Sequence, residues 1–153
     1  MNLEATINGE ELTLEIEPGE VLLDVLRRNG FKSVKEGCKT GDCGACMVLV
    51  DGSAMTSCTL FAAQVQGANI KTVEGLDDEL AGSLRENFLD KGAVQCGFCI
   101  PGVLVSAYSL LSSNPDPTEE EIKAALDGNL CRCTGYVKQI EAIKETAEEL
   151  GDS

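Results

Sequence analysis

Apolar and polar residues alternate, or nearly so, in two short runs near the start of the chain, LEATI (Leu3–Ile7) and LTLEI (Leu12–Ile16). A period of two predicts strands with one buried face. Asn8-Gly9 between them predicts a tight hairpin, because that pair accepts the positive φ angles of a two-residue turn. In VLLDVLRRNG the pattern changes: Val21, Leu22, Val25 and Leu26 share one helical face, and Gly30 is the expected stop. MVLVDGSAM predicts a strand and a turn at Asp51-Gly52, and ANIKTV a last strand.

From about Leu76 the period becomes helical. Leu80, Leu84 and Phe88 recur every fourth residue. Thr118-Glu119-Glu120-Glu121 after Pro117 is a capping box that opens a helix running to Leu126. Tyr136, Ile140, Ile143, Ala147 and Leu150 mark an apolar stripe on a final helix. With the apolar segment Val103–Leu111 these make four helices, enough for a small bundle. The expected fold is therefore α+β, a β-grasp arrangement followed by a four-helix unit. Glu74-Gly75 is the expected boundary, giving domains 1–75 and 76–153.

Composition narrows the function. The chain has 153 residues, 43% of them hydrophobic, which suits packed cores rather than disorder. A net charge of −14 argues against a nucleic-acid partner. No apolar run approaches the roughly 18 residues of a membrane span, and MNLEATINGEEL lacks the features of a signal peptide. A cytoplasmic location is expected. Eight cysteines in a reducing compartment point to metal binding first and catalysis second. The absence of any histidine removes Cys-His zinc fingers, Rieske centres, His-ligated haem and imidazole-based triads.

The cysteines fall into two sets of four. Cys38, Cys43, Cys46 and the distant Cys58 have the C-x4-C-x2-C…C spacing of a plant-type ferredoxin-like [2Fe–2S] site. Gly37, Gly41 and Gly44 are expected to take positive φ and to bring backbone N–H groups close to the sulfurs. A four-cysteine zinc site is the alternative, but it usually shows two C-x2-C knuckles and only one occurs in this half.

The second set is Cys96 and Cys99 in QCGFC with Cys131 and Cys133 in GNLCRCTGY. A disulfide between Cys131 and Cys133 would close a strained ring. Asp127, Gly128, Asn129, Thr134 and Gly135 supply loop chemistry that aims both sulfurs at one object. Read alone, Cys96-Gly97-Phe98-Cys99 could be a thioredoxin-like redox pair, but that motif belongs in a βαβ setting. Both cysteine pairs are expected near helix N-termini, where the dipole favours thiolate.

SVKEGCKTGDCGACMVLVDG, GAVQCGFCIPG and GNLCRCTGY together resemble the iron–sulfur subunit of the molybdenum hydroxylases, the xanthine dehydrogenase, aldehyde oxidoreductase and carbon monoxide dehydrogenase group. The resemblance covers nearly the whole chain. It implies an N-terminal ferredoxin-like domain and a C-terminal helical domain, each with one [2Fe–2S] cluster. It implies a large subunit that carries molybdopterin beside the helical cluster and a medium subunit that carries FAD, in a dimer of heterotrimers. Electrons then pass from the molybdopterin centre through both clusters to flavin or another acceptor. By the same resemblance Gln95 and Cys133 are the positions near the pterin. Lys39 stands where the family commonly has glycine, and Ile100 where it commonly has threonine. A free-standing two-cluster ferredoxin and a zinc-stabilised interaction protein are the alternatives.

Overall fold

The fold is that of a computed structural model in which residues 1–151 are described. Strands β1 (Asn2–Ile7) and β2 (Glu10–Glu15) pair antiparallel, with Leu3 opposite Leu14 and Ala5 opposite Leu12. Asn8 and Gly9 have φ of 51° and 87°, so the hairpin closes through a turn whose twist matches its strands. β3 (Met47–Val50) and β4 (Ser53–Thr56) repeat the device at Asp51 and Gly52, φ 49° and 86°. β5 (Asn69–Lys71) lies between the hairpins, parallel to β1 and antiparallel to β3. The sheet order is β2-β1-β5-β3-β4, the expected β-grasp arrangement.

Helix α1 (Leu22–Arg28) covers this sheet with Leu22, Leu23, Val25 and Leu26, all fully buried beside Val48 and Ile70. Each such side chain contributes about 1.5–3 kcal/mol when removed from water. Val21, expected within the helical stripe, instead precedes the helix in extended geometry and bridges to Phe61.

The second half contains α2 (Glu79–Asp90), α3 (Ile100–Ser113), α4 (Glu119–Leu126) and α5 (Val137–Gly151). Asp78 caps α2 by accepting from Ala81 N at 3.0 Å, and Tyr108 on α3 donates to its other oxygen. α3 opens with Pro101 in its first turn, where a missing N–H costs nothing. The expected capping box of α4 is present, Thr118 Oγ1 receiving Glu121 N and Glu121 Oε2 receiving Thr118 N.

The stripe on α5 needs correction. Tyr136 lies before the helix, and Ile140 and Leu150 are only half-buried. The buried face is Gln139, Ala142, Ile143, Thr146 and Ala147. Polar partners rotate the helix toward that side: Asn87 on α2, itself buried, donates to Thr146 Oγ1 at 3.1 Å. Apolar periodicity registers side chains, not the hydrogen bonds that let Gln and Thr go inside.

The halves are packed against each other. Leu49 of β3 shares a small core with Leu76, Ala81 and Val105 from the helical half. Asn8 ties the first turn to the connecting segment, its Oδ1 accepting from Thr72 N at 2.8 Å and its Nδ2 donating to Thr72 Oγ1 at 2.9 Å. Thr72 is fully buried, so no water can replace these bonds. Asn8→Ala should lower stability by about 1–3 kcal/mol. Asn8→Gly, which keeps the positive φ but not the bonds, should recover only part of it, as read by thermal unfolding of the purified protein.

Candidate metal centres

None of the eight cysteines is in a disulfide. Cys38, Cys43 and Cys46 lie on one loop between α1 and β3, and Cys58 lies in the short turn after β4. The loop folds around its own sulfurs. Cys43 N donates to Cys38 Sγ and Cys38 N to Cys43 Sγ, both at 3.4 Å, and Thr40 N reaches Cys38 Sγ at 3.3 Å. Hydrogen bonds from the Thr40 hydroxyl and N–H and from Cys43 N–H lower the Cys38 thiol to about 6. Burial, followed by contact with the Cys46 thiol, pushes Cys58 up to about 11. The four sulfurs thus meet as two neighbouring pairs, Cys38 with Cys43 and Cys46 with Cys58.

The glycines of this loop divide their tasks differently from expectation. Gly41 and Gly44 do have positive φ, 87° and 70°, but Gly37 does not. Gly37 is required for space, since a Cβ there would sit 2.6 Å from Cys43 Sγ. Lys39 takes φ 58° without being glycine, and its ammonium is paired with Asp24 at 3.2 Å and Glu36 at 3.5 Å.

The second set assembles from two segments. Cys99 precedes the first turn of α3 with Cys96 just before it, and Cys131 and Cys133 lie in the loop leading to α5. Burial, followed by a hydrogen bond with the Cys131 thiol, raises Cys99 to about 11. Burial also acts upward on Cys131, but hydrogen bonds from the Thr134 hydroxyl and N–H and from Cys133 N–H outweigh it and leave that thiol lowered to about 7. Contact with the Cys96 thiol raises Cys133. The pairs are Cys96 with Cys133, both exposed, and Cys99 with Cys131, buried and half-buried. Gln95 is exposed and donates from Nε2 to the Cys133 carbonyl at 3.2 Å, so it braces the loop carrying the second pair.

Two irons sharing four thiolates need two thiolates each, with N–H donors toward sulfur. A single zinc needs four donors about 2.3 Å from one point. The paired sulfurs and the N–H groups aimed at them fit the binuclear group.

A model of the 2Fe-2S iron-sulfur cluster binding domain matches residues 5–81, and one of the [2Fe-2S] binding domain matches residues 72–144. The nicotinate dehydrogenase small FeS subunit of Eubacterium barkeri is 46% identical over 150 residues, covering 97% of this chain and 96% of that protein. The chain belongs to the iron–sulfur small subunits of the molybdenum hydroxylases. Quinoline 2-oxidoreductase from Pseudomonas putida 86 contains a chain of the same fold, with TM-score 0.92, 43% identity and coverage of 100% of this chain and 97% of that one. Aldehyde oxidoreductase from Desulfovibrio gigas matches with TM-score 0.93 and 37% identity over 99% of this chain but 17% of its own. The small subunit is an electron-transfer component of a molybdenum-dependent oxidoreductase. These relatives are oxidoreductases or their subunits, so neither the free-standing ferredoxin nor the zinc-stabilised protein describes them.

Sequence reasoning did not single out the residues that join the two cysteine loops of the small subunit. Leu130 N donates to the Cys43 carbonyl at 2.9 Å, and Asn129 Nδ2 to the Gly44 carbonyl at 3.3 Å. Tyr136 Oη accepts from Cys131 N at 2.9 Å and donates to the Asn129 carbonyl at 3.0 Å. Asn129 had been legible only as a turn former and Tyr136 only as a core position. The junction also depends on Gly102, where a Cβ would lie 2.1 Å from the Gly44 oxygen. Gly102→Ala should therefore destabilise the protein by roughly 1–3 kcal/mol. Gly82→Ala is the control: that glycine lies inside α2 with open space around it, and alanine should stabilise by about 0.5–1 kcal/mol. Thermal unfolding of both variants beside the native protein checks the contrast.

Proposed function

We propose that Cys38, Cys43, Cys46 and Cys58 hold one [2Fe–2S] cluster and Cys96, Cys99, Cys131 and Cys133 hold the other. Residues 1–75 form the ferredoxin-type unit and 76–153 the helical unit. The observation that carries this reading is the gathering of cysteines at two separate places. Cys38 and Cys43 each donate a backbone N–H to the other's sulfur, while Gln95, beside Cys96, is bonded to the Cys133 carbonyl, and Cys99 and Cys131 come together at the core of the helical half. The clusters supply one-electron redox capacity. The chain's own residues supply thiolates, N–H donors and a backbone junction that keeps the sets adjacent.

The small subunit conducts electrons from a large molybdopterin-bearing subunit, entering at the helical site, to a medium FAD-bearing subunit at the ferredoxin-type site. The exposed Cys96 and Cys133 support the first contact, as do Phe98, Leu130 and Val137, which stand 48%, 59% and 62% exposed in the same segments. An apolar rim around exposed sulfurs fits a partner that excludes water. We further infer a dimer of heterotrimers working in the cytoplasm. Eight cysteines with no disulfide among them suit that compartment, and among the described residues no helix is long and apolar enough to cross a membrane. The names of the relatives point to nicotinate, quinoline and aldehydes, so one conduit serves unlike substrates and the choice of substrate lies on the large subunit.

The purified complex should contain two irons and two inorganic sulfides for each four-cysteine set, with two EPR signals after reduction. Cys43→Ser should disturb one signal and spare the other. Zinc in place of iron, or iron for a single set, overturns the assignment. Gln95→Ala should retain both signals but slow cluster reduction by substrate in rapid-mixing experiments. The Gln95 bond to the Cys133 carbonyl is exposed, so the slowing should stay near the low end of the roughly 1–3 kcal/mol attached to a lost hydrogen bond.

A further inference from the structure

Gln139 is fully buried in the face of α5 that also carries Ala142 and Ile143, where an apolar side chain would be expected. Its Nε2 donates to Cys99 Sγ at 3.7 Å. Among the described residues its Oε1 accepts no hydrogen bond. A buried amide with an unsatisfied oxygen is a net cost to folding, and an apolar residue of similar volume would remove that cost. A bond to a neutral thiol offsets little of it, because sulfur is then a weak acceptor. A bond to a thiolate is charge-assisted and about twice as strong. The amide is therefore compensated when Cys99 carries negative charge.

Cys99 needs such a donor more than the other sulfurs of its set. It is the buried member, while Cys96 and Cys133 are exposed and Cys131 receives the Thr134 hydroxyl and N–H at 3.1 and 3.5 Å. In the ferredoxin-type loop, backbone N–H groups perform this service for Cys38 and Cys43. Cys99 stands at the start of α3, and the donor from outside the cysteine set comes to it from the neighbouring helix.

We propose that Gln139 is a tuning residue of the helical iron–sulfur site, its carboxamide N–H stabilising negative charge on the Cys99 sulfur and so raising the reduction potential of that site. This rests on the reading that Cys99 is a ligand. One-electron reduction adds negative charge that the ligand sulfurs share, so a donor aimed at one of them favours the reduced form. The side chain acts through Cys99 and touches neither substrate nor pterin.

The test is an EPR-monitored redox titration of the intact complex carrying Gln139→Met or Gln139→Leu, both of which fill space without donating. The expected result is a negative shift in the midpoint of the helical site, up to about tenfold in its reduction equilibrium or ~59 mV for one electron. The ferredoxin-type midpoint should stay fixed, and the melting temperature should hold or rise as the orphaned oxygen disappears. Unchanged midpoints with both signals present overturn the proposal. An equal shift of both sites, or loss of iron from the helical site in both variants, overturns it as well, assigning Gln139 a general packing or assembly role. Cys99→Ser separates this from the ligand reading: if that variant leaves both EPR signals unaltered, Cys99 is no ligand and it is the reading that fails.

Discussion

The hydrogen bond from Leu130 N–H to the Cys43 carbonyl joins two backbones that each carry a cysteine at or next to the contact. Around it the chain comes closer than side chains would permit. A Cβ on Gly44 would lie 2.2 Å from the Gly128 oxygen, and one on Gly102 would lie 2.1 Å from the Gly44 oxygen. The Gly44 carbonyl also accepts from Met47 N at 3.3 Å, at the start of β3, and from the Asn129 amide at 3.3 Å. One glycine carbonyl thus sets the ferredoxin loop, the first turn of α3 and the loop before α5 relative to one another. Moving any of these backbones would separate the cysteine sets, because Cys43, Cys99 and Cys131 lie within three residues of the contact.

The two sites reach their geometry by different means. The first is local: a short loop turns back on itself and directs its own amides at its sulfurs. The second is tertiary, because Cys99, at the start of α3, and Cys131, in the loop before α5, meet only when the bundle forms, with Cys99 in its core and Cys131 packed against it. Metal ligands must be deprotonated, so loading either site releases protons and stabilises the fold around it. The helical site depends on the bundle already being formed. The polar link from Asn87 to Thr146, which holds α2 against α5, therefore supports the meeting of Cys99 and Cys131 from a distance.

Much of this was legible in the sequence where the signal was local. Asn8-Gly9 and Asp51-Gly52 specified both hairpins because few residue pairs accept two successive positive φ angles. Thr118 and Glu121 specified the start of α4 because their hydrogen bonds span only three residues. The cysteine spacing was legible as a candidate [2Fe–2S] pattern because a compact cluster restricts how its ligands can be spaced along a loop. What escaped was non-local. Asn129 reads as a loop residue until Gly44, far earlier in the chain, is brought against it. Gln139 and Thr146 read as polar interruptions of a stripe until their partners on α3 and α2 are known. The need for glycine at position 37 is non-local in the same way: the proximity of Cys43 Sγ, not the backbone angle, excludes a side chain there.

The helical site has a direction built into it. Its exposed pair, Cys96 and Cys133, faces outward beside Phe98, while its inner pair, Cys99 and Cys131, is withdrawn toward the bundle. Leu130, immediately before Cys131, is the residue bonded to Cys43. The inner pair is therefore next to the other site and the outer pair is next to whatever docks. Donors follow the same division. Exposed sulfurs can be served by water or by a partner, whereas Cys99 must be served from within, and the residue that does so is a buried glutamine on an otherwise largely apolar face. Solvation thus accounts for one place where this chain tolerates polarity in its core: the bundle admits an amide where, among the described residues, no other hydrogen bond from outside its own set reaches a buried sulfur.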